Sequence, residues 1–265
     1  MKRAVPPRIA LFATEAVPVV VAILRVRSKW WHVVRIDKKG GVERGSWFYG
    51  TKILVDQCSL NHDGSLLAYF ATAKGLPGWS GLSRPPWLHC VAQIKEKTTL
   101  LSSCAFGFPR AGEVCIPPRS NPSPLSLGKT QQIYEHIRQV MGPSQSDLEQ
   151  AESDIRNILH LRVRHHDYGP DRMTRQGFVP VGESWSWTGR DGVCRVVPVK
   201  GFTDNDLGSL HTLNCCVDAL GRWWQALDGI ITCHEIHKKT QRIVCSIDTN
   251  SWVPPQRNAN KKAKS

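Results

Sequence analysis

Short runs of β-branched and aromatic residues recur along the chain, and residues that favour turns lie between them. Each run has the length and composition of a β-strand rather than of a helix. The Asp228-Gly229 pair between two runs predicts a tight hairpin turn. The predicted fold class is mainly β, with strands over 19–26, 30–36, 65–72, 87–94, 178–181, 194–199, 221–227, 230–236 and 242–247.

One turn pattern occurs twice. Cys58 is followed six residues later by Gly64, and Cys215 is followed in the same way by Gly221. Two large apolar residues come shortly after each glycine. Glycine permits the positive φ that a tight turn between strands demands. Recurrence of such a turn in an all-β pattern is typical of propeller blades.

Helical spacing replaces this pattern in the middle of the chain. Apolar residues over 129–141 recur at helical intervals, and a second helix is predicted to begin at the capping box Ser146-Asp147-Leu148-Glu149. The segment 75–86 is rich in glycine, serine and proline and is predicted to be a long ordered loop. Residues 105–128, which carry many prolines, are predicted to be loop or linker.

These changes divide the chain into four parts. We predict β blades over 9–104 and 177–255, separated by a Pro-rich linker and helical insertion over 105–176. The insertion has its helices at about residues 129–160. A basic tail follows over 256–265.

The segment from Trp30 to Phe70 resembles a group of uncharacterised bacterial proteins with propeller-like blades. The matching stretches are 29–33, 45–48, 63–70 and 83–87, and the Asp63-Gly64 turn is similar to that of TolB-type and WD40-type blades. The resemblance is clearest over 19–95 and loose over 177–255. It implies a partial or irregular β-propeller with a helical insertion, and it implies no activity.

The chain carries a formal net charge of +13, of which about half comes from basic residues near its ends. A basic tail attracts polyanions such as RNA, DNA or an anionic membrane, although most such tails only aid solubility. The basic residues concerned are Lys2, Arg3, Arg8, Arg257, Lys261, Lys262 and Lys264.

Nine cysteines form no closely spaced framework, which favours reduced thiols and a cytoplasmic location. No apolar run reaches 18 residues, so no membrane span is predicted. Glu15 and Pro18 interrupt the apolar run near the start of the chain. The run is therefore interpreted as a strand of the fold rather than as a signal peptide.

Three motifs imitate known active sites, and each lacks a required residue. Gly128-Lys129-Thr130 has Ser123 where a P-loop needs glycine. The stretch from His234 to His237 has Lys238 where a zinc peptidase needs its second histidine. Gly78-Trp79-Ser80-Gly81 is followed by Leu82 instead of the glycine of a nucleophile elbow. The sequence therefore predicts no catalytic residue, no metal site and no cofactor.

The densest basic stretch lies between residues 156 and 175. Arginine side chains bind phosphates through paired hydrogen bonds, so the stretch is a candidate polyanion-binding site. Two alternatives stay open: a solvated helix end whose cations suit the helix dipole, and a metal site at His165-His166-Asp167. The candidate residues are Arg156, Arg162, Arg164, His165, His166, Arg172 and Arg175.

No catalytic motif is complete, so the favoured function is non-enzymatic binding or scaffolding, with another protein as the partner. The alternative is a protein that binds RNA or DNA through the 156–175 cluster and the basic tail. A third hypothesis is a hydrolase whose site is built from loops at one end of the propeller.

Overall fold

The computed structural model describes residues 6–14, 16–27, 29–95, 104–117, 143–165, 178–181, 184–188, 194–198, 214–237 and 240–255. This part of the chain is mainly β and forms several open antiparallel sheets and one helix. Within it, no helix has the length and apolar character needed to cross a bilayer.

The amino-terminal half forms two four-stranded antiparallel meanders, in which each strand pairs with the next one along the chain. We call them the first and second sheets. The first sheet consists of β1 (Arg8–Ala13), β2 (Val20–Arg27), β3 (Trp30–Ile36) and β4 (Val42–Tyr49). The second consists of β5 (Thr51–Leu60), β6 (Leu67–Ala73), β7 (Trp79–Ser83) and β8 (Cys90–Lys95).

The middle of the chain supplies a parallel strand pair and a helix. Strand β9 (Glu113–Ile116) pairs in parallel with β10 (Arg162–His165). Helix α1 (Gln145–Ile158) lies between these two strands along the chain and ends just before β10. A three-stranded sheet follows, formed by β11 (Phe178–Val181), β12 (Ser184–Thr188) and β13 (Cys194–Pro198). The last sheet is again a four-stranded meander, of β14 (Cys215–Val217), β15 (Trp223–Leu227), β16 (Ile230–His237) and β17 (Thr240–Asp248).

Most strands lie where the apolar runs predicted them, but two predictions about loops are wrong. Strand β7 lies within the predicted loop 75–86, and β9 lies within the predicted linker 105–128. The predicted helix over 129–141 falls outside the described residues. The helix that is described begins two residues earlier than the predicted capping box, because Ser144 rather than Ser146 is its N-cap.

Three apolar clusters stack these elements against one another. One face of the first sheet packs on the last sheet, and the opposite face packs on the second sheet. The far face of the second sheet packs on β9 and on helix α1 through Leu148, Ala151 and Ile155. Strand β1 contacts β14, β15 and β5, so the first sheet lies at the centre of this stack.

The repeated turn has the same kinds of hydrogen bond in both copies, although the copy at Asn61 is one residue longer than the copy at Asp218. Asn61 and Asp218 each lie three residues before a glycine of positive φ, and the glycine N–H donates to the carbonyl of that residue. A side-chain oxygen of the same residue accepts a backbone N–H further along the turn. Asp37 with Gly40 forms a third copy, which the sequence pattern did not reveal because no cysteine precedes it at the same spacing.

One of these turns joins two sheets. Arg222, just after the β14–β15 turn, makes a buried ion pair with Asp218. Its Nη1 also donates to the carbonyl of Lys38 on the β3–β4 turn, over 2.6 Å. The last sheet is thus tied to the first by a side chain that also completes its own turn.

Candidate basic site

The structure brings together four of the seven predicted site residues. Arg156 lies in the last turn of helix α1. Arg162, Arg164 and His165 lie on β10, immediately after the helix. His166, Arg172 and Arg175 lie outside the described residues.

The end of helix α1 sets the position of β10. The N–H groups of Leu159 and Leu161 both donate to the carbonyl of Ile155, and His160 between them has a positive φ of 54°. The chain therefore leaves the helix in a sharp turn. Because side chains alternate along a strand, Arg162 and Arg164 point to the same side of β10, while Val163 packs against the core.

A carboxylate on the neighbouring strand holds one of the arginines. Arg164 Nη2 donates to Glu113 Oε1 over 2.7 Å, and its Nε lies 2.7 Å from Glu113 Oε2. The hydrogen bond from Arg164 is the main cause that lowers the pKa of Glu113, with the charges of Arg164, Arg110 and Arg162 adding to it. The same hydrogen bond raises the pKa of Arg164. Glu113 therefore stays ionised at the centre of a group of cations.

A second carboxylate lies beneath the surface. Glu152 of helix α1 is only 3% exposed, and its two oxygens contact Arg156 and His165 Nε2, the latter over 3.2 Å. The other ring nitrogen of His165 lies 3.3 Å from the carbonyl of Pro117. Both nitrogens of His165 thus face oxygen acceptors, and Arg156 and His165 are oriented by one buried group.

Arg156, Arg162 and Arg164 line an open concavity of about 630 Å³, which we call the basic shelf. The complete lining is Glu113, Arg156, His160, Leu161, Arg162, Val163 and Arg164.

A narrower cleft of about 230 Å³ adjoins the shelf, with Glu113 and Leu161 common to both. It adds two arginines from distant parts of the sequence: Arg84, which follows β7, and Arg110, in the loop before β9. Its other lining residues are Asn61, His62, Asp63, Ser65, Leu66, Phe108, Ala111, Gly112 and Leu159.

The repeated turn of the second sheet builds one wall of the cleft. Partial burial acts to raise the pKa of Asp63, but hydrogen bonds from the Ser65 hydroxyl and N–H outweigh it, so the pKa is lowered. Asp63 Oδ1 accepts both, over 2.6 and 2.9 Å. Asn61 Oδ1 accepts the N–H of Leu66, and Gly64 has a φ of 71°. The wall is therefore fixed by local hydrogen bonds that do not depend on a ligand.

Sequence reasoning missed Arg84 and Arg110. Each is an isolated cation in a Pro-rich stretch, without the density of charge that singled out residues 156–175. Only the packing of β9, β10 and helix α1 on the second sheet brings them into the cleft next to the shelf. No local pattern of residue types signals such an assembly.

The metal alternative gains no further ligands in the described part of the chain. There, no group of three or more histidine, cysteine, aspartate or glutamate side chains is placed to hold an ion. His166 and Asp167, two of the three predicted ligands, lie outside that part.

Comparisons of the chain with protein-family models, with curated proteins and with solved structures give no match.

Proposed function

We propose that this protein is a non-enzymatic binding protein that engages a polyanion, with nucleic acid as the partner, through the basic shelf and the adjoining cleft. One observation carries the proposal. Five arginines line the two connected concavities, against two carboxylates, Asp63 and Glu113. The arginines are Arg84, Arg110, Arg156, Arg162 and Arg164.

Three of the five arginines are available to a ligand. Arg156 and Arg164 are engaged by Glu152 and Glu113. Arg84, Arg110 and Arg162 have no ion-pair partner among the described residues. Exposed guanidinium groups held around a concave surface bind phosphates through paired hydrogen bonds.

The shape of the surface favours an extended ligand. The shelf is open to solvent, and the cleft shares Glu113 and Leu161 with it. A single strand of nucleic acid presents one phosphate after another and is held mainly by such cations. The meander sheets, which we propose to be propeller-like blades, supply the rigid support for this surface.

The test is binding of fluorescently labelled single-stranded RNA and DNA, measured by anisotropy at several salt concentrations. A chain with Arg84→Ala, Arg110→Ala and Arg162→Ala is compared with the unchanged protein. We expect the triple variant to bind at least about 10-fold more weakly, because it lacks three guanidinium groups that contact phosphates. Each lost phosphate contact should also reduce the slope of log K against log salt by about 0.7.

Two controls make the result specific. Arg8→Ala removes an exposed arginine of β1 that lies outside the shelf and cleft, so it is expected to leave the affinity unchanged. A shortened chain ending at Pro255 separates binding by the tail from binding by the shelf. Equal affinities of the triple variant and the unchanged protein, or binding lost with the tail alone, would contradict the proposal.

A second candidate function is scaffolding of another protein, favoured by the free edge of the last sheet. Strand β17 lies at the end of the sheet order, and its Ile243 and Val244 are 59% and 37% exposed. An exposed edge strand pairs readily with an extended segment of a partner. Chemical cross-linking in cell extract, compared between the unchanged chain and Ile243→Lys, tests this function. A partner captured equally by both would contradict it.

A further inference from the structure

Two cysteines of the last sheet lie directly opposite each other. Cys233 on β16 and Cys245 on β17 are partners in the antiparallel register, and both are free thiols. Opposite residues in such a pair have Cα atoms about 4.5–5.5 Å apart and side chains on the same face. A disulfide spans Cα separations of about 4.4–6.8 Å. The backbone spacing of this pair therefore already suits a disulfide.

The two thiols differ in access. Cys233 is fully buried in the apolar core between the first and last sheets, whereas Cys245 packs at its margin and is partly exposed. Burial raises the pKa of both thiols, to about 12 for Cys233, while the charge of Arg222 acts in the opposite direction. An oxidant from solvent consequently meets Cys245 first.

We propose that Cys233 and Cys245 form an oxidation site that a peroxide converts into a cross-strand disulfide. The Cys245 thiol loses its proton, and the thiolate attacks one peroxide oxygen. The S–O bond forms as the O–O bond breaks, and the departing hydroxide takes up the released proton, so that a sulfenic acid and one water result. The Cys233 thiol then attacks that sulfur, and the S–S bond forms as the second water leaves. Two thiols are oxidised, one hydrogen peroxide is reduced to two waters, and a dithiol reagent reverses the change.

This site is coupled to the contact between the first and last sheets. A Cβ added to Gly40 would lie 2.7 Å from the Sγ of Cys245, so the thiol packs directly against this glycine of the β3–β4 turn. Forming the disulfide turns that sulfur towards Cys233 and away from Gly40. Arg222 donates a hydrogen bond to Lys38 of the same turn, so oxidation removes the contact of the thiol with Gly40 while this hydrogen bond remains.

The test uses the full chain in its reduced form. The protein is exposed to hydrogen peroxide, its remaining thiols are alkylated in denaturant, and its peptides are mapped by mass spectrometry. We expect one linked peptide pair joining Cys233 to Cys245, with the loss of two hydrogens, and its disappearance after treatment with dithiothreitol. A link between two other cysteines in its place, or Cys245 oxidised without a link, would overturn the proposal.

Variants and hydrogen exchange test the remaining steps. Cys245→Ser is expected to abolish the link, whereas Cys215→Ser, which changes a neighbouring cysteine on the opposite face of the sheet, should leave it intact. If either variant fails to fold, the map of the unchanged chain still decides whether the disulfide forms. Amide exchange in 37–41 should rise on oxidation, and an unchanged rate would overturn the coupling to the turn.

Discussion

At the scale of single residues, Asp218 makes the densest set of polar contacts in the described structure. Its Oδ1 accepts the N–H groups of Leu220 and Arg222, over 2.9 and 3.1 Å. Its Oδ2 accepts Arg222 Nε over 2.8 Å and the indole N–H of Trp224 over 2.9 Å. One carboxylate thus shapes the turn, neutralises a buried arginine and anchors a core tryptophan.

We expect Asp218→Ala to lower the free energy of unfolding by about 3–5 kcal/mol, because it leaves the Arg222 guanidinium buried without its counter-charge. The matched control is Asp37→Ala in the third copy of the turn. Asp37 also accepts two backbone N–H groups, but it is exposed, so a loss of only about 1 kcal/mol is expected. Urea unfolding of both variants measures the difference. Equal losses would show that the buried ion pair adds nothing to the turn.

At the scale of elements, the start of helix α1 shows how far a local motif predicts a boundary. The Ser-x-x-Glu pattern at Ser146 predicts an N-cap there, but the chain uses Ser144, whose hydroxyl accepts the Asp147 N–H over 3.1 Å. The carbonyl of Ser144 also accepts the N–H of Leu148. Leu148 then lies on the helix face that packs against the second sheet. Tertiary packing therefore favours a helix that begins at Ser144.

Removal of the cap tests this assignment. Ser144→Ala is expected to lower the free energy of unfolding by about 1 kcal/mol, because the Asp147 N–H loses its acceptor. Ser146→Ala changes the serine of the predicted box and should alter stability by less than about 0.5 kcal/mol. Urea denaturation followed by helical circular dichroism distinguishes the two. A larger effect at Ser146 would restore the capping box as the true start.

The glycines around strand β7 explain why the sequence predicts a loop over 75–86. A Cβ on Gly78 would lie 2.5 Å from Cζ of Phe70, and one on Gly81 would lie 2.6 Å from Cζ of Tyr69. The aromatic rings of β6 therefore require glycine at position 81 on β7 and at position 78 immediately before it. Strand propensity counts these glycines as loop residues because it takes no account of the partner across the sheet.

At the scale of the whole molecule, the stack of sheets encloses histidines that are neutral when folded. His32 is fully buried, its ring stacks on Trp47 at 4.1 Å, and its Nδ1 donates to the carbonyl of Ser46. Burial is the main cause that lowers its pKa, and the charge of Arg44 adds to this effect. The pKa of His234 is also lowered by burial.

These shifts predict that the protein loses stability in mild acid. In the unfolded chain the imidazoles take up protons near pH 6.5, whereas in the folded chain they do so only at lower pH. Protons therefore favour the unfolded state, and the free energy of unfolding should fall as the pH drops from about 7 to about 5. Urea unfolding across this interval should show a weaker fall for His32→Phe than for the exposed control His89→Gln. Identical pH dependence in the two variants would contradict the role of His32.

The sequence predicted the class of the molecule better than its site. Strands such as β2 and β3 were predictable because their apolar runs are buried on both faces and contain few breakers. The combination of shelf and cleft was not predictable, because Arg84, Arg110 and Arg162 come from three separate segments. Their proximity depends on packing between elements. The periodicity of hydropathy describes each element separately and does not indicate which elements are neighbours.

The contact of β1 with β14 and β15 has a consequence for the protein during its synthesis. All four strands of the first sheet have left the ribosome well before residue 214, and translation of the intervening segment takes roughly ten to thirty seconds. For that time the apolar face formed by Ile9, Leu11, Val20 and Val34 has no partner. A nascent chain in this state exposes an apolar surface to which chaperones can bind. A protein truncated before the last sheet would keep this surface exposed, and we expect it to aggregate or to be degraded.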